Sequence, residues 1–253
     1  RVGGSPANTV NSTRPEARSQ IHTEVQQFVT PERIVKIAYT TTGFNHQQDS
    51  TIRAGPKPQV DGSPIPFHPK GLPSEQFTQF CRRFLVVPKG HGQGKPLELR
   101  SWQRDLVASV LDRPKRPRIA GWMLPRGNGK SSLLAALGIW ELFTGGQGAT
   151  TVIVAVDSRQ AGIIFNIGRR LVELSPELEK RCQIGKEKLY IPATDSTFEC
   201  LPAEPKRLEG LDFSLALLDE AGVVDRATYE VLALAQGKRE ISSLIAIGTP
   251  GPD

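Results

Sequence analysis

Pro125-Arg126-Gly127-Asn128-Gly129-Lys130-Ser131 gathers two glycines, an ammonium and a hydroxyl into one short run. Residues of these types can wrap phosphate oxygens. Glycines let the backbone approach, N–H groups at a helix start converge on the anion, the lysine adds charge and the hydroxyl suits a hard cation. The general pattern, Gly-x-x-x-x-Gly-Lys-Ser/Thr, is met at Gly129-Lys130-Ser131, whereas Leu124 stands where its first glycine belongs. On this reading Pro125, Arg126, Gly127, Asn128, Gly129, Lys130, Ser131 and Ser132 cradle a nucleotide. Lys130 would reach the β and γ phosphates, and the Ser131 hydroxyl would bind Mg²⁺. Taken alone, the segment equally suits a glycine turn beside a surface lysine.

A second motif bears on that choice. Leu215-Ala216-Leu217-Leu218-Asp219-Glu220 is an apolar run that ends in two carboxylates. At the C-terminal end of a buried strand these acids would face the sheet mouth, where α/β folds bind ligands. Asp219 suits the metal or its water ligands, and Glu220 suits polarising a water in line with the γ phosphate. A strand ending in solvated acids is common, so the weight lies in both motifs occurring together, in order. A third apolar run, Leu244–Gly248, is followed by Thr249, Pro250 and Gly251. Thr249 would meet the γ-phosphate region, although a strand before a Pro-Gly turn is the plainer reading of that segment alone.

These motifs need a sheet to hold them. Apolar runs at Ile119–Leu124, Val152–Val156, Leu215–Leu218 and Leu244–Gly248 alternate with helical patterns over 130–143, 158–175 and 226–236. Short buried strands alternating with helices predict parallel pairing and a three-layer α/β architecture, the P-loop fold of the RecA-like kind. Lys188–Ile191 and Thr197–Leu201 are expected to add a hairpin or edge strands. Phe77, Phe80, Cys81 and Phe84 recur at helical spacing, and Leu97–Asp112 gives an amphipathic stretch through Trp102, Leu106 and Val110. The P-loop domain is therefore expected over 76–253. Residues 1–75 carry nine of the twenty prolines and read as a Pro/Gly-rich arm or linker, with short helical patches near 15–28 and 31–39.

Composition sets outer bounds. The 253 residues allow one large α/β domain, and 38% hydrophobic with 23% charged residues is ordinary for a globular protein. A net charge of +6 favours a polyanionic partner. Cys81, Cys182 and Cys200 lack any Cys-x-x-Cys spacing and read as reduced, buried thiols. No apolar run approaches the roughly 20 residues that span a bilayer, and the start Arg1-Val2-Gly3-Gly4-Ser5 is not a secretion signal, so a cytoplasmic protein is expected.

Read together with Gln103 and Arg126, these motifs resemble the ATPase domain of the large terminase subunit, the DNA-packaging motor of tailed bacteriophages, over about residues 75–253. In that family the phosphate loop commonly carries an arginine and lacks the usual first glycine, which matches Pro125–Ser131 and accounts for Leu124. The resemblance implies that Gln103, in Leu99-Arg100-Ser101-Trp102-Gln103, pairs with the adenine edge. It implies that Arg207, in Arg207-Leu208-Glu209-Gly210-Leu211, reaches a neighbouring subunit's nucleotide as an arginine finger, with Arg126 acting within the subunit or sensing the γ phosphate. It likens Asp157-Ser158-Arg159-Gln160-Ala161 to a segment that touches DNA or carries conformational change, and the Thr249 element to the motif coupling hydrolysis to DNA movement.

The same resemblance implies ATP and Mg²⁺ as cofactors, with double-stranded DNA, a portal protein and a small terminase subunit as partners. It further implies a homo-oligomeric ring docked on the procapsid in the bacterial host cytoplasm, and a subunit that is monomeric in isolation. Basic clusters at Arg82-Arg83, Lys89, Arg113–Arg118 and Arg169-Arg170 are candidates for phosphate contacts, or simply a solvated basic face. Family members usually continue into a ribonuclease H-type nuclease domain. This chain ends at Asp253 and has no carboxylate cluster outside the ATP site, so DNA cutting is not expected of it. Two other readings compete. One is a superfamily 2 helicase or other P-loop ATPase, which lacks a second motor lobe here. The other is a nonhydrolysing nucleotide-binding module, which Glu220 argues against.

Overall fold

The computed structural model describes the backbone of Val25–Thr30 and Arg33–Ala38, and residues 60–156 and 158–249, with the Ser158 side chain excepted. The chain divides into two compact units, Arg1–Lys57 and Pro58–Asp253. In the first, β1 (Val25–Thr30) and β2 (Arg33–Ala38) pair antiparallel, with Thr30 opposite Arg33. The helical patches expected near 15–28 and 31–39 are thus corrected where they overlap these strands. Val25, Phe28, Val29, Ile34, Val35 and Ile37 are β-branched or aromatic, and cross-strand packing favours them in strands. Residues 15–24 lie outside the described residues.

The second unit begins well before residue 76. Arg181, 5% exposed, fastens its first residues. Its guanidinium donates to the Ser63 carbonyl at 2.7 Å, the Ser63 hydroxyl at 2.9 Å and the Pro64 carbonyl at 3.2 Å, and it pairs with Glu177 at 2.8 Å. Ile65 and Phe67 then pack against the core. Helix α1 (Pro73–Phe84) buries Phe77, Phe80, Cys81 and Phe84, the stripe its spacing predicts. Helix α2 (Ser101–Leu111) turns differently from expectation. Its buried residues are Gln103, Val107, Val110 and Leu111, whereas Trp102 and Leu106 are half-buried. The polar Gln103 sits on the inner face because its amide oxygen accepts the Arg100 N–H at 2.9 Å.

The remaining elements follow in order: β3 (Ile119–Met123), α3 (Lys130–Thr144), β4 (Thr150–Ala155), α4 (Ser158–Glu173), α5 (Pro176–Glu179), β5 (Gln183–Ile184), β6 (Lys188–Ile191), β7 (Ser196–Pro202), α6 (Pro205–Leu208), β8 (Leu215–Asp219), α7 (Arg226–Ala235) and β9 (Ser243–Gly248). Seven strands form one sheet in the order β3-β9-β8-β4-β7-β6-β5. The first five are parallel, and β6 and β5 extend the sheet antiparallel from β7. The expected parallel core is present with a hairpin edge.

Both faces of the core strands are covered, which explains their unbroken apolar runs. Leu215 and Leu217 of β8 and Ile245 and Ile247 of β9 join the cluster that includes residues of α1, α2, α3 and α4. Ala216, Leu218 and Leu244 join the opposite cluster with Leu208 of α6 and Leu232 of α7. Helix α3 lies close on its sheet face because Gly138 meets the Phe198 ring of β7, where any Cβ would collide.

The sheet order has one consequence for the site. Strand β9 lies between β3, which leads into the glycine loop, and β8, which ends in the acids, so all three open at one end.

Candidate nucleotide site

The loop is held at both ends. Leu124 is buried, and its N–H donates to the Gly248 carbonyl of β9 at 3.0 Å, which gives the residue at the missing-glycine position an anchoring role. The Asn128 amide donates to the Pro125 carbonyl at 3.2 Å and closes the turn. Gly129 adopts φ +72°, a left-handed conformation that favours glycine, and α3 starts at the next residue. The first-turn N–H groups of α3 have no intrahelical acceptors and point out of the helix start, as an anion requires.

Across from the loop, Asp219 closes β8 at 6% exposure. Its Oδ1 accepts the Glu220 N–H at 3.0 Å, and Glu220 takes φ +52°, a conformation uncommon for any residue but glycine. That turn swings the Glu220 carboxylate toward the loop. Lys130 Nζ lies 2.6 Å from Glu220 Oε1 and 3.0 Å from Asp219 Oδ1. The Thr249 hydroxyl donates to Glu220 Oε2 at 3.1 Å. Residues distant in sequence therefore meet in one polar network.

The network tunes its own charges. The Lys130 ammonium beside Glu220 holds that carboxyl below its ordinary range, although partial burial works the other way, and Thr249 and Arg126 add to the lowering. Burial alone would weaken the Lys130 ammonium, yet Glu220 and Asp219 together raise its pKa above the usual lysine value. Lys130 stays cationic and Glu220 anionic at neutral pH.

An open cavity of about 320 Å³ joins these parts. It is lined by Pro125, Arg126, Gly127, Gly129, Lys130, Ser131 and Ser132 of the loop, with Glu220 and Thr249 opposite. Every one of its lining residues was singled out from sequence. Asp219 lies behind it, reached through Lys130. Gln103 approaches from α2, with its amide nitrogen 3.7 Å from where a Gly129 Cβ would stand. Arg207 is elsewhere, on α6, exposed and paired with Glu204 at 3.2 Å. Sequence reading missed the links among these groups: the left-handed Glu220 and its contacts with Lys130 and Thr249 depend on strand order, which no local pattern carries.

The oxygen-only donor set of Ser131 and Asp219 fits Mg²⁺, which takes one or two carboxylates and completes its shell with phosphates and water. No group of three or more His, Cys, Asp or Glu able to hold a metal ion occurs among the described residues. Such a site would depend on a phosphate-bearing ligand.

The basic clusters are partly committed. Arg116 pairs with the buried Glu141 of α3 at 3.1 Å and lies 5.8 Å from the Trp140 ring centroid. Arg169 and Arg170 share Glu173 at 2.7 and 3.1 Å. Asp157 lies outside the described residues, and α4 begins directly after it. Cys81 and Cys182 are buried as expected, burial pushing the Cys182 thiol up to about 12, but Cys200 is only half-buried. Among the described residues no helix is long and apolar enough to cross a membrane.

Comparison with known proteins identifies the family. The family model for the ATPase domain of the terminase large subunit matches residues 102–249, more than half of the chain. The large terminase subunit of Enterobacteria phage HK97 is 33% identical over 183 residues, covering 69% of this chain and 36% of that protein. The crystal structure of the HK97 large terminase superposes with a TM-score of 0.64 at 31% identity, over 70% of this chain and 38% of that one. The Thermus phage P74-26 large terminase ATPase domain is also similar, at 22% identity and a TM-score of 0.46, over 62% of this chain and 66% of that one. The chain thus spans little more than a third of the length of the HK97 relative. Its phosphate loop, its acidic strand and the strand between them all fall within the matched segment, and the chain belongs to the terminase large subunit family through its ATPase domain.

Proposed function

We propose that this chain is the motor domain of a phage large terminase, hydrolysing ATP with Mg²⁺ and coupling each turnover to movement of double-stranded DNA into a procapsid. The observation that carries the reading is the convergence of Lys130, Asp219, Glu220 and Thr249 beside the loop Pro125–Ser132. Ser131 and Asp219 would hold Mg²⁺, which when bound neutralises phosphate charge. Loop N–H groups and Lys130 bind the phosphates, and Gln103 meets the base. Glu220 accepts hydrogen bonding from the attacking water and orients it toward the γ phosphorus. Arg126, on the cavity wall, offsets charge that develops on the phosphoryl oxygens.

Binding of double-stranded DNA, a portal protein and a small terminase subunit, and assembly into a ring on the procapsid in the host cytoplasm, follow from the family and belong to the same proposal. Supporting it are the net charge of +6 and an exposed Arg207 placed to be offered outward.

Phosphate release by the wild type and Glu220→Gln tests the first half. The variant should bind nucleotide and lose turnover, and unchanged release would sink the assignment. ATP-dependent protection of linear DNA from added nuclease, in the presence of procapsids, tests the second. Hydrolysis without protection would leave an ATPase and remove the packaging role.

A further inference from the structure

Two oxygens of one carboxylate have two different partners here. Glu220 Oε1 faces Lys130 Nζ at 2.6 Å, and Glu220 Oε2 accepts the Thr249 hydroxyl at 3.1 Å. These partners differ in what an arriving triphosphate does to them. Lys130 is the loop's phosphate-binding cation, so it must turn from Oε1 to the phosphates. Thr249 directly follows β9, which ends at Gly248.

A threonine hydroxyl has one proton to donate. Donated to Glu220, it is not available to a phosphate oxygen, which can only accept. Contact of Thr249 with the γ phosphate, the expectation from sequence, and its contact with Glu220 are therefore mutually exclusive uses of one proton.

The backbone favours the second use. Asp219 of β8 pairs with Ile247 of β9, and Met123 of β3 pairs with Gly248, so Thr249 stands one residue beyond the second pair and two beyond the first, at the shared strand ends. The Ala221 N–H donates to the Ile247 carbonyl at 2.9 Å, pinning the chain on the far side of Glu220. With Asp219 Oδ1 on the Glu220 N–H, the left-handed residue is held from both sides, and only its side chain remains to be aimed. Thr249 is β-branched and stiff about χ1, which suits a fixed hydroxyl.

We propose that Thr249 is a positioning residue for Glu220: its hydroxyl holds Oε2 so that, once Lys130 has moved to the phosphates, Oε1 is free and aimed at the attacking water. This inference rests on the ATPase reading and concerns the same site.

Thr249→Val keeps the shape and removes the hydroxyl, and Thr249→Ser restores the hydroxyl with one methyl fewer. In the full chain, steady-state phosphate release is measured beside the Kd of a nonhydrolysable ATP analogue with Mg²⁺. Thr249→Val should lower kcat by about tenfold or more while the Kd stays within about twofold, because orientation of a general base acts on the chemical step and not on ground-state binding. Thr249→Ser should bring kcat back to within about threefold of wild type.

An unchanged kcat in Thr249→Val overturns the inference. So does a Kd weakened by about tenfold and rescued by serine, since that is the signature of a phosphate contact. A serine variant as slow as the valine one also overturns it, because the hydroxyl would not be the operative group. Wild-type and Glu220→Gln rates in the same assay separate the two levels. Turnover abolished by Glu220→Gln but unmoved by Thr249→Val removes this inference alone, whereas equal rates in wild type and Glu220→Gln remove the ATPase reading and the inference with it.

Discussion

Lys130 and Glu220, ninety positions apart in sequence, form a 2.6 Å ion pair across the mouth of the sheet. The cation that should meet phosphate and the carboxylate that should activate water thus neutralise each other while no nucleotide is bound. Binding must exchange one partner of Lys130 for another.

Affinity follows from that exchange. In Glu220→Gln the ammonium retains only Asp219 as an ionic partner, and one negative charge near the phosphates is gone. Nucleotide should bind roughly three- to thirtyfold more tightly, or about 0.7–2 kcal/mol, the scale of one partly screened charge at this range. Equilibrium titration with labelled ATP reads the Kd directly. Weaker binding would mean that Glu220 contributes a ligand contact and does not compete for Lys130.

Gln103 offers a test of base recognition apart from phosphate binding. Its oxygen is used by the Arg100 N–H, while its amide nitrogen lies against Gly129 and leaves a donor facing the loop. Gln103→Ala should weaken ATP binding by about tenfold and leave GTP nearly unaffected, since one base-edge hydrogen bond contributes on the order of 1 kcal/mol or somewhat more. Competition of ATP against GTP in the same titration decides it. An unaltered preference would limit Gln103 to shaping the start of α2.

Glu173 offers a pH test away from the site. Although partial burial opposes it, Arg169 and Arg170 hold this carboxyl below its ordinary value of 4.5. A carboxyl whose pKa is lower folded than unfolded contributes stability above the unfolded value and loses it as pH falls through the folded one. Denaturant unfolding of wild type should therefore weaken more steeply below about pH 4.5 than that of Glu173→Gln, and the gap at neutral pH should be at most about 1 kcal/mol for such screened helix pairs. Parallel pH profiles would show that the pairs do not form in solution.

Much of this architecture was legible in the sequence, for physical reasons that differ by element. The runs now in β4, β8 and β9 were readable as strands because both sheet faces are covered, so no polar residue interrupts them. The loop residues were readable because few residue types tolerate their backbone, as Gly129 at φ +72° shows. Three features were not readable. The strands Val25–Thr30 and Arg33–Ala38 looked helical in part because spacing alone does not register their antiparallel pairing. The burial of Gln103 left no mark in the spacing of Trp102, Leu106 and Val110, because it goes with a hydrogen bond from the Arg100 N–H. The Lys130–Glu220–Thr249 network depends on β9 lying between β3 and β8, a tertiary fact with no local trace.

Arg207 tests the assembly. It sits on α6 with 65% of its side chain exposed, paired to Glu204 at 3.2 Å and absent from its own subunit's nucleotide cavity. An exposed pair of this kind contributes little and is readily broken, so the guanidinium is available to a neighbour. A finger given in trans acts only where subunits touch, which ties its effect to protein concentration. Arg207→Ala should lower the specific hydrolysis rate by about tenfold or more in assembled protein, a conservative share of what arginine fingers supply. At dilutions where the wild type is monomeric the variant should match it. Mixing adds a second check. Arg207→Ala retains an intact nucleotide site and Glu220→Gln retains an intact finger, so a mixture of the two should recover activity that neither has alone. Equal loss at every concentration, with no recovery on mixing, would place the Arg207 effect within its own subunit.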